Sequence, residues 1–242
     1  MTPHSPDQPP AAPLHPASPG QDPNQDREYW NRVAPEKNFT TPLPLELLQN
    51  RLAPQARILD YGCGYGRTLT LLEQSGFTQT LGLDFAPAML QRGHRQHPHL
   101  RLAACAPGRV PLADQSVDAV LLLAVLTCIR HDRDQRSLLN ELTRVLRPGG
   151  LLLVNDFLLA PDQRNQERYA RFAKQFGTYG VFAISGGGVM RHHDPAWLDQ
   201  LFSGLHPLVR KETPFTTMNG NSAQGVTLLL QRPRIPAQDQ SP

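Results

Sequence analysis

The feature that most narrows what this chain can fold into is the run Ile58-Leu59-Asp60-Tyr61-Gly62-Cys63-Gly64-Tyr65-Gly66. Residues 57–61 have the apolar character of a strand buried on both faces. They run into three glycines at alternate positions, where the backbone can turn sharply and a ligand can approach without meeting a Cβ. Leu69, Leu71 and Leu72 then suit a helix that stops at Gly76. The same alternation continues downstream. Strands are predicted at 80–84, 100–104, 117–123 and 151–157. Between them, Pro87 opens a helix reaching about residue 96. A second helix over 134–146 carries Leu138, Leu139, Leu142, Val145 and Leu146 on one face, and Arg147-Pro148-Gly149-Gly150 ends it. Short apolar strands alternating with amphipathic helices predict an α/β domain with a parallel sheet covered by helices.

Beyond residue 157 the pattern loosens. Residues 162–176 predict an inserted helix rich in Arg and Gln, and Asp194-Pro195 caps a helix reaching Leu205. The last strands are expected at 208–215 and 225–231. Residues 179–193 have no regular period, because Gly186-Gly187-Gly188 interrupts it, and Arg191-His192-His193 is expected in a loop. One domain is therefore predicted over 27–232, with an insert at about 158–193 facing the substrate. Residues 1–26 are thick with Pro, Ala, Ser and Gln and predict a disordered leader. Residues 233–242 predict a loose tail. The leader has neither the basic start nor the apolar core of a secretory signal. The longest apolar run, 119–126, is far short of the roughly 20 residues of a membrane span. Three cysteines without zinc-type spacing fit free thiols in a reducing cytoplasm. A net charge of +3 without a dense Lys/Arg block argues against a dedicated nucleic-acid binder.

Two acids sharpen the reading of the glycine turn. Asp60, at the strand end, would repel a pyrophosphate but can hold a cationic amino group. Asp84, at the tip of the second strand, stands where an acid accepts hydrogen bonds from ribose hydroxyls. A nicotinamide site with G-x-G-x-x-G from Gly62 would need glycine at 67, where Arg67 stands. Leu59-Asp60-Tyr61-Gly62-Cys63-Gly64, Gly82-Leu83-Asp84-Phe85-Ala86, Asp118-Ala119-Val120 and Leu146-Arg147-Pro148-Gly149-Gly150 together carry a resemblance. Residues 57–157 resemble the core of class I S-adenosylmethionine-dependent methyltransferases. The resemblance implies a Rossmann-like, mostly parallel seven-stranded sheet with helices on both faces and the last strand antiparallel. It also implies S-adenosyl-L-methionine as cofactor, lying across the C-terminal strand ends. Its candidate contacts are Asp60, Gly62, Cys63, Gly64, Asp84, Phe85, Ala106 and Leu123. One departure stands out: Cys105-Ala106-Pro107-Gly108 replaces the Asp-Ala that members often place beside adenine, which leaves the N–H of Ala106 or Gly108 for that contact.

The resemblance implies methyl transfer to a small or medium-sized metabolite at O, N or S. Methylation of RNA or protein, or cofactor binding without catalysis, are the alternatives. Residues 122–126 lack the polar-Pro-Pro-aromatic character of enzymes that methylate nucleobase amino groups. Such a transfer needs a general base only when the nucleophile arrives protonated. Candidate catalytic residues are Asp156, His192 and His193, since an imidazole near neutrality could take a proton. The histidines could instead be a surface pair or backbone hydrogen-bonders, and Asp156 a strand-end cap. No metal site is expected, because consecutive side chains often diverge. Arg164, Tyr169, Tyr179 and Arg191 are candidate substrate contacts, with Asn155 and Asn219 beside them. Arg164, Arg168 and Arg171 also fit a solvated helical face. Tyr29 and Trp30 could form a lid or pack in the core.

Overall fold

The structure, a computed structural model, describes residues 23–217 and 220–234. Asn219, most of the expected leader and most of the expected tail lie outside the described residues. Seven strands form one sheet: β1 (Arg57–Tyr61), β2 (Gln79–Asp84), β3 (Leu102–Ala104), β4 (Val117–Leu123), β5 (Leu146–Phe157), β8 (His206–Thr216) and β9 (Ser222–Gln231). Their order is β3-β2-β1-β4-β5-β9-β8, and β9 alone runs antiparallel to its neighbours. Helices α1 (Pro23–Val33), α2 (Glu46–Gln49), α3 (Arg67–Gln74), α4 (Pro87–Gln96), α5 (Asp132–Val145), α6 (Gln163–Phe176) and α7 (Pro195–Leu201) surround it. A short antiparallel pair, β6 (Val181–Ala183) and β7 (Val189–Arg191), stands apart from the main sheet.

The period of two along the central strands explains why helices cover both faces. Ile58, Ala119, Leu121 and Leu153 point to one side, where they meet Leu69 and Leu72 of α3 and Leu90 of α4. Leu59, Val120, Leu122 and Leu152 point to the other, against Leu138 and Leu142 of α5 and Leu198 of α7. Burial of both faces is what a nearly continuous apolar strand such as 117–123 requires.

Several sequence expectations change. The Arg147-Pro148-Gly149-Gly150 stretch is part of β5: Val117 pairs with Leu146, and the next pair is Ala119 with Leu151. Gly149, at φ +77°, donates its N–H to Arg232 O at 2.9 Å, so the extra residues form an irregularity that joins β5 to β9. The third strand begins at Leu102, because Leu100 turns inward and is buried. The last predicted helix ends at Leu201. Residues 23–26, expected in the leader, belong to α1, which is anchored where Tyr29 packs with Tyr169, Phe182 and Met190. The glycine triplet is the turn of a hairpin, with Gly186 and Gly187 at positive φ and Ile184 N–H donating to Gly188 O at 2.8 Å. Arg191 is consequently in a strand, and Arg191, His192 and His193 are all buried. Among the described residues, no helix is long and apolar enough to cross a membrane.

The contact between β2 and α3 is tight enough to test. A Cβ on Gly82 would stand 2.6 Å from Cys63 Sγ, 2.7 Å from Leu69 and 2.9 Å from Leu102, whereas one on Gly204 meets nothing within 4 Å. Gly82→Ala is expected to lower the unfolding free energy by about 1–3 kcal/mol in urea titration. Gly204→Ala should stay within about 0.5 kcal/mol of the parent.

Candidate active site

The C-terminal ends of β1, β2, β4 and β5 open into a cleft of about 1500 Å³, counted out to its mouth. At its floor the glycine turn is held by the neighbouring strand: Gly62 and Cys63 N–H both donate to Leu83 O, at 2.7 and 3.1 Å. Gly62 and Gly64 adopt φ of +76° and +57°, and a Cβ would stand 2.6 Å from Val125 and 2.2 Å from the Phe39 ring. Both positions therefore need glycine for conformation and for space. Asp84 locks the turn further. Its Oδ2 accepts from Gly64 N–H and its Oδ1 from Ala86 N–H, each at 2.8 Å. Each oxygen keeps a lone pair for a further donor. Burial raises the Asp84 pKa, and the N–H groups of Ala86, Gly64 and Phe85 oppose that rise.

Asp60 is different. It is 2% exposed and lines the cleft, yet its Oδ2 has no hydrogen-bond partner among the described residues. Burial pushes its pKa up to about 7; the nearby Arg67 guanidinium pulls down, and Asp84 adds to the rise. A buried carboxylate oxygen left without a donor is costly, on the order of 1–3 kcal/mol or more. A cationic donor entering the cleft would satisfy it. Arg67, the first residue of α3, lines the same end and donates to Thr41 O. It was legible only as the residue that excluded a dinucleotide turn.

Phe85, Cys63 and Leu123 line the cleft, as does Cys105, but Ala106 does not. The N–H of Gly108 is spent on the Tyr61 hydroxyl at 2.9 Å. Of the adjacent pair Cys105 and Ala106, it is Cys105 that borders the cleft. Ala124, at the tip of β4, is held at φ +54° by its N–H donating to Asn155 O at 2.7 Å, which brings its backbone to the cleft wall. Trp30 and Phe39 close the cleft from the N-terminal side, while Tyr29 is core.

The opposite end is a lobe walled by Phe157, Phe182, Ile184, Met190 and His192. The imidazole of His192 stacks on Phe157 (centroids 5.5 Å, planes 16° apart) and meets the edge of Phe182 at 4.9 Å. Tyr169 OH accepts from Ala160 N–H at 3.3 Å and donates to His192 Nδ1 at 2.6 Å. Burial, followed by the charge of Arg168, pushes the His192 pKa down to about 3, so the ring is neutral near pH 7.

The other predicted chemical residues stand behind this wall. His193 is fully buried and its Nε2 accepts from Gln135 Nε2 at 2.9 Å. Its Nδ1 then carries the proton and donates to Phe157 O at 3.1 Å. Asp156, also fully buried, accepts from Phe157 and Thr127 N–H at 2.8 and 3.2 Å, and burial raises its pKa to about 7. Arg191 turns away to Arg130 O at 2.9 Å and to Asp132 at 2.6 Å. Tyr169 sits behind His192, and Tyr179 is 52% exposed. Of the predicted catalytic and substrate residues, His192 and Arg164 line the cleft. Arg168, beside Arg164, lines it too, and nothing in the sequence separated it from a solvated helical face.

Residues 59–154 match the family described as a methyltransferase domain. A demethylmenaquinone methyltransferase of Beutenbergia cavernae is 33% identical over 132 residues, 54% of this chain and 53% of its own length. The match thus spans about half of that relative. A demethylmenaquinone methyltransferase of Tropheryma whipplei is 30% identical over 168 residues, 61% of this chain and 68% of the relative. The chain belongs to the S-adenosylmethionine-dependent methyltransferases. Its fold agrees: the solved structure of such a methyltransferase from Methanosarcina mazei superposes with a TM-score of 0.75 at 19% identity, covering 81% of this chain and 100% of that one.

The residues of this methyltransferase fit S-adenosylmethionine on chemistry already described: an unsatisfied buried carboxylate for an ammonium, a second carboxylate with spare lone pairs, and the backbone of Gly62 on the cleft wall. If Asp60 meets the ammonium, only its ionised form binds well, and below pH 7 the free protein holds that carboxylate protonated. Affinity for the demethylated cofactor, S-adenosylhomocysteine, should therefore fall towards tenfold per pH unit as calorimetry moves from pH 7.5 to 5.5. Asp60→Asn should bind more weakly and lose that slope.

Proposed function

We propose that this protein transfers the methyl group of S-adenosyl-L-methionine to a small or medium-sized metabolite at O, N or S. The observation that carries the reading is the continuity of one cleft, from Asp60 and Asp84 at one end to the aromatic lobe around His192 at the other. The cofactor supplies an electrophilic methyl carbon on a sulfonium, so the protein's task is alignment and exclusion of water. In this reading Asp60 accepts from the ammonium, and Asp84 accepts from ribose hydroxyls while fixing the turn. Gly62 lets the backbone lie against the ligand, while Gly64, which does not line the cleft, makes room for the Phe39 ring. Trp30 and Phe39 cover it.

At the acceptor end, Tyr169 donates to Nδ1 of His192, which leaves the Nε2–H as the group able to face the acceptor. A neutral imidazole whose proton lies on Nε2 donates a hydrogen bond, so His192 suits holding a lone pair of the acceptor's oxygen, nitrogen or sulfur in line with the methyl group rather than taking a proton from it. The lobe's small aromatic walls favour a metabolite over a polymer, and the absence of a dense basic block in the sequence agrees. Three free cysteines support a reducing, cytoplasmic setting. The full-length relatives' acceptors are theirs; the acceptor here is open to a screen.

With labelled S-adenosylmethionine, purified protein should methylate components of a metabolite extract and leave RNA and protein unlabelled. Labelling confined to RNA or protein would refute the reading. Asp84→Ala should weaken S-adenosylhomocysteine binding about ten- to a hundredfold, the range of lost charge-assisted hydrogen bonds. Unchanged affinity would refute the ribose assignment. His192→Phe should lower kcat/KM for the acceptor at least tenfold while leaving S-adenosylhomocysteine affinity as it was.

A further inference from the structure

The aromatic lobe has a feature that methyl transfer alone does not require. Its outer wall, where α6 faces the β6–β7 hairpin, presents Arg164 and Arg168 to the cleft, and the wall continues outward past Arg171, Phe172 and Ile184. Among the described residues, no carboxylate lies within ion-pair distance of any of these three arginines. The nearby acids are engaged. Asp162 caps α6, accepting from the Asn165 N–H at 3.1 Å and from its side-chain amide. Glu167, which also lines the outer wall, accepts from Gln163 Nε2 at 2.8 Å.

Arg168 is the more telling of the two. Its guanidinium lies 3.4 Å from the centre of the Phe182 ring, and one terminal nitrogen donates to Asn165 Oδ1. Its Nε is buried with no partner among the described residues. A half-buried cation with an unsatisfied donor, beside a second cation, is held at a cost that a ligand anion would repay. Desolvation already lowers its pKa, and the charge of Arg164 adds to that, while Tyr169 and Asp162 oppose it. The Phe182 ring that Arg168 covers stands 4.9 Å from His192 on its other contact. Arg168 and His192 thus both contact Phe182, so the cationic wall borders the same aromatic lobe that His192 lines.

Resting on the methyltransferase reading, we propose that the acceptor is an apolar ring compound bearing one anionic group, a carboxylate or a phosphate, which Arg164 and Arg168 receive. The ring lies among Phe157, Phe182 and His192, and the anion fixes which edge of the ring reaches the imidazole. Specificity then comes from a charge pair at the mouth rather than from polar groups deep in the lobe.

The test uses the full chain saturated with S-adenosylhomocysteine and titrated calorimetrically with 2-naphthoate, 2-naphthyl phosphate and the neutral 2-naphthamide. The expected result is that at least one anion binds ten or more times tighter than the amide. Raising KCl should weaken that anion and not the amide, and the tighter anion identifies the headgroup. Arg164→Gln, at an exposed position, and Arg168→Gln should each cut anion affinity at least fivefold and leave amide affinity unchanged. Equal binding of anions and amide, anion binding indifferent to both variants, or no binding of any naphthyl probe to the loaded protein would overturn the proposal. Failure of S-adenosylhomocysteine itself to bind would instead overturn the cofactor reading, and the first titration separates the two.

Discussion

The Asp84 carboxylate, bridging the N–H groups of Gly64 and Ala86, is the interaction on which the rest of this site depends. It joins the glycine turn after β1 to the start of α4, two segments that arrive from different strands. With Leu83 O receiving Gly62 and Cys63 N–H, the turn has no freedom to drift from the end of β2. A carboxylate that has already spent one lone pair of each oxygen on the backbone is rigid before any ligand comes. That rigidity is what preorganised recognition requires.

Burial then decides how the ionisable groups behave. The same desolvation that raises Asp60 and Asp156 to about 7 lowers His192 and His193 to about 3. Near pH 7 the cleft and its backing thus carry less charge than their residue types suggest. The exceptions are the arginines, which stay cationic. Arg67 shares one end with Asp60 and Asp84, whereas Arg164 and Arg168 leave the other end cationic. Asp156 and His193 approach to 3.6 Å but are each held by other partners, and their contribution is to seat the end of β5 under the lobe.

Much of the cofactor end was legible because it is local. A strand, a glycine turn and a helix follow one another within residues 57–74, and Asp84 lies one β-strand further on. Spacing along the chain therefore maps onto position in space. The acceptor end was legible only in part. Its walls come from β5, α6, the hairpin, the segment before β9 and the N-terminal helix, and no periodicity in one segment reports what another packs against it. The hairpin itself was hidden because three glycines erase the alternation of a short strand, although they are the reason it can turn. Arg168 was hidden because a cation on a helix face has the same pattern whether it meets solvent or the face of Phe182.

The sequence by itself determined the seven strands of the main sheet and the helices between β1 and β5, the two-sided burial of the sheet and the acids and glycines at the C-terminal ends of β1 and β2. These follow from periods of two and 3.6 residues and from the steric needs of a turn. Only the tertiary structure decided between His192 and His193. In extended backbone consecutive side chains point to opposite sides, so one of the pair had to face the cleft and the other the core. The choice was made by the bridge that sets His193 beside Leu158 and sends its N–H to Phe157 O. That register depends on contacts 36 residues apart along the chain, and the residue types of an adjacent pair carry no record of it.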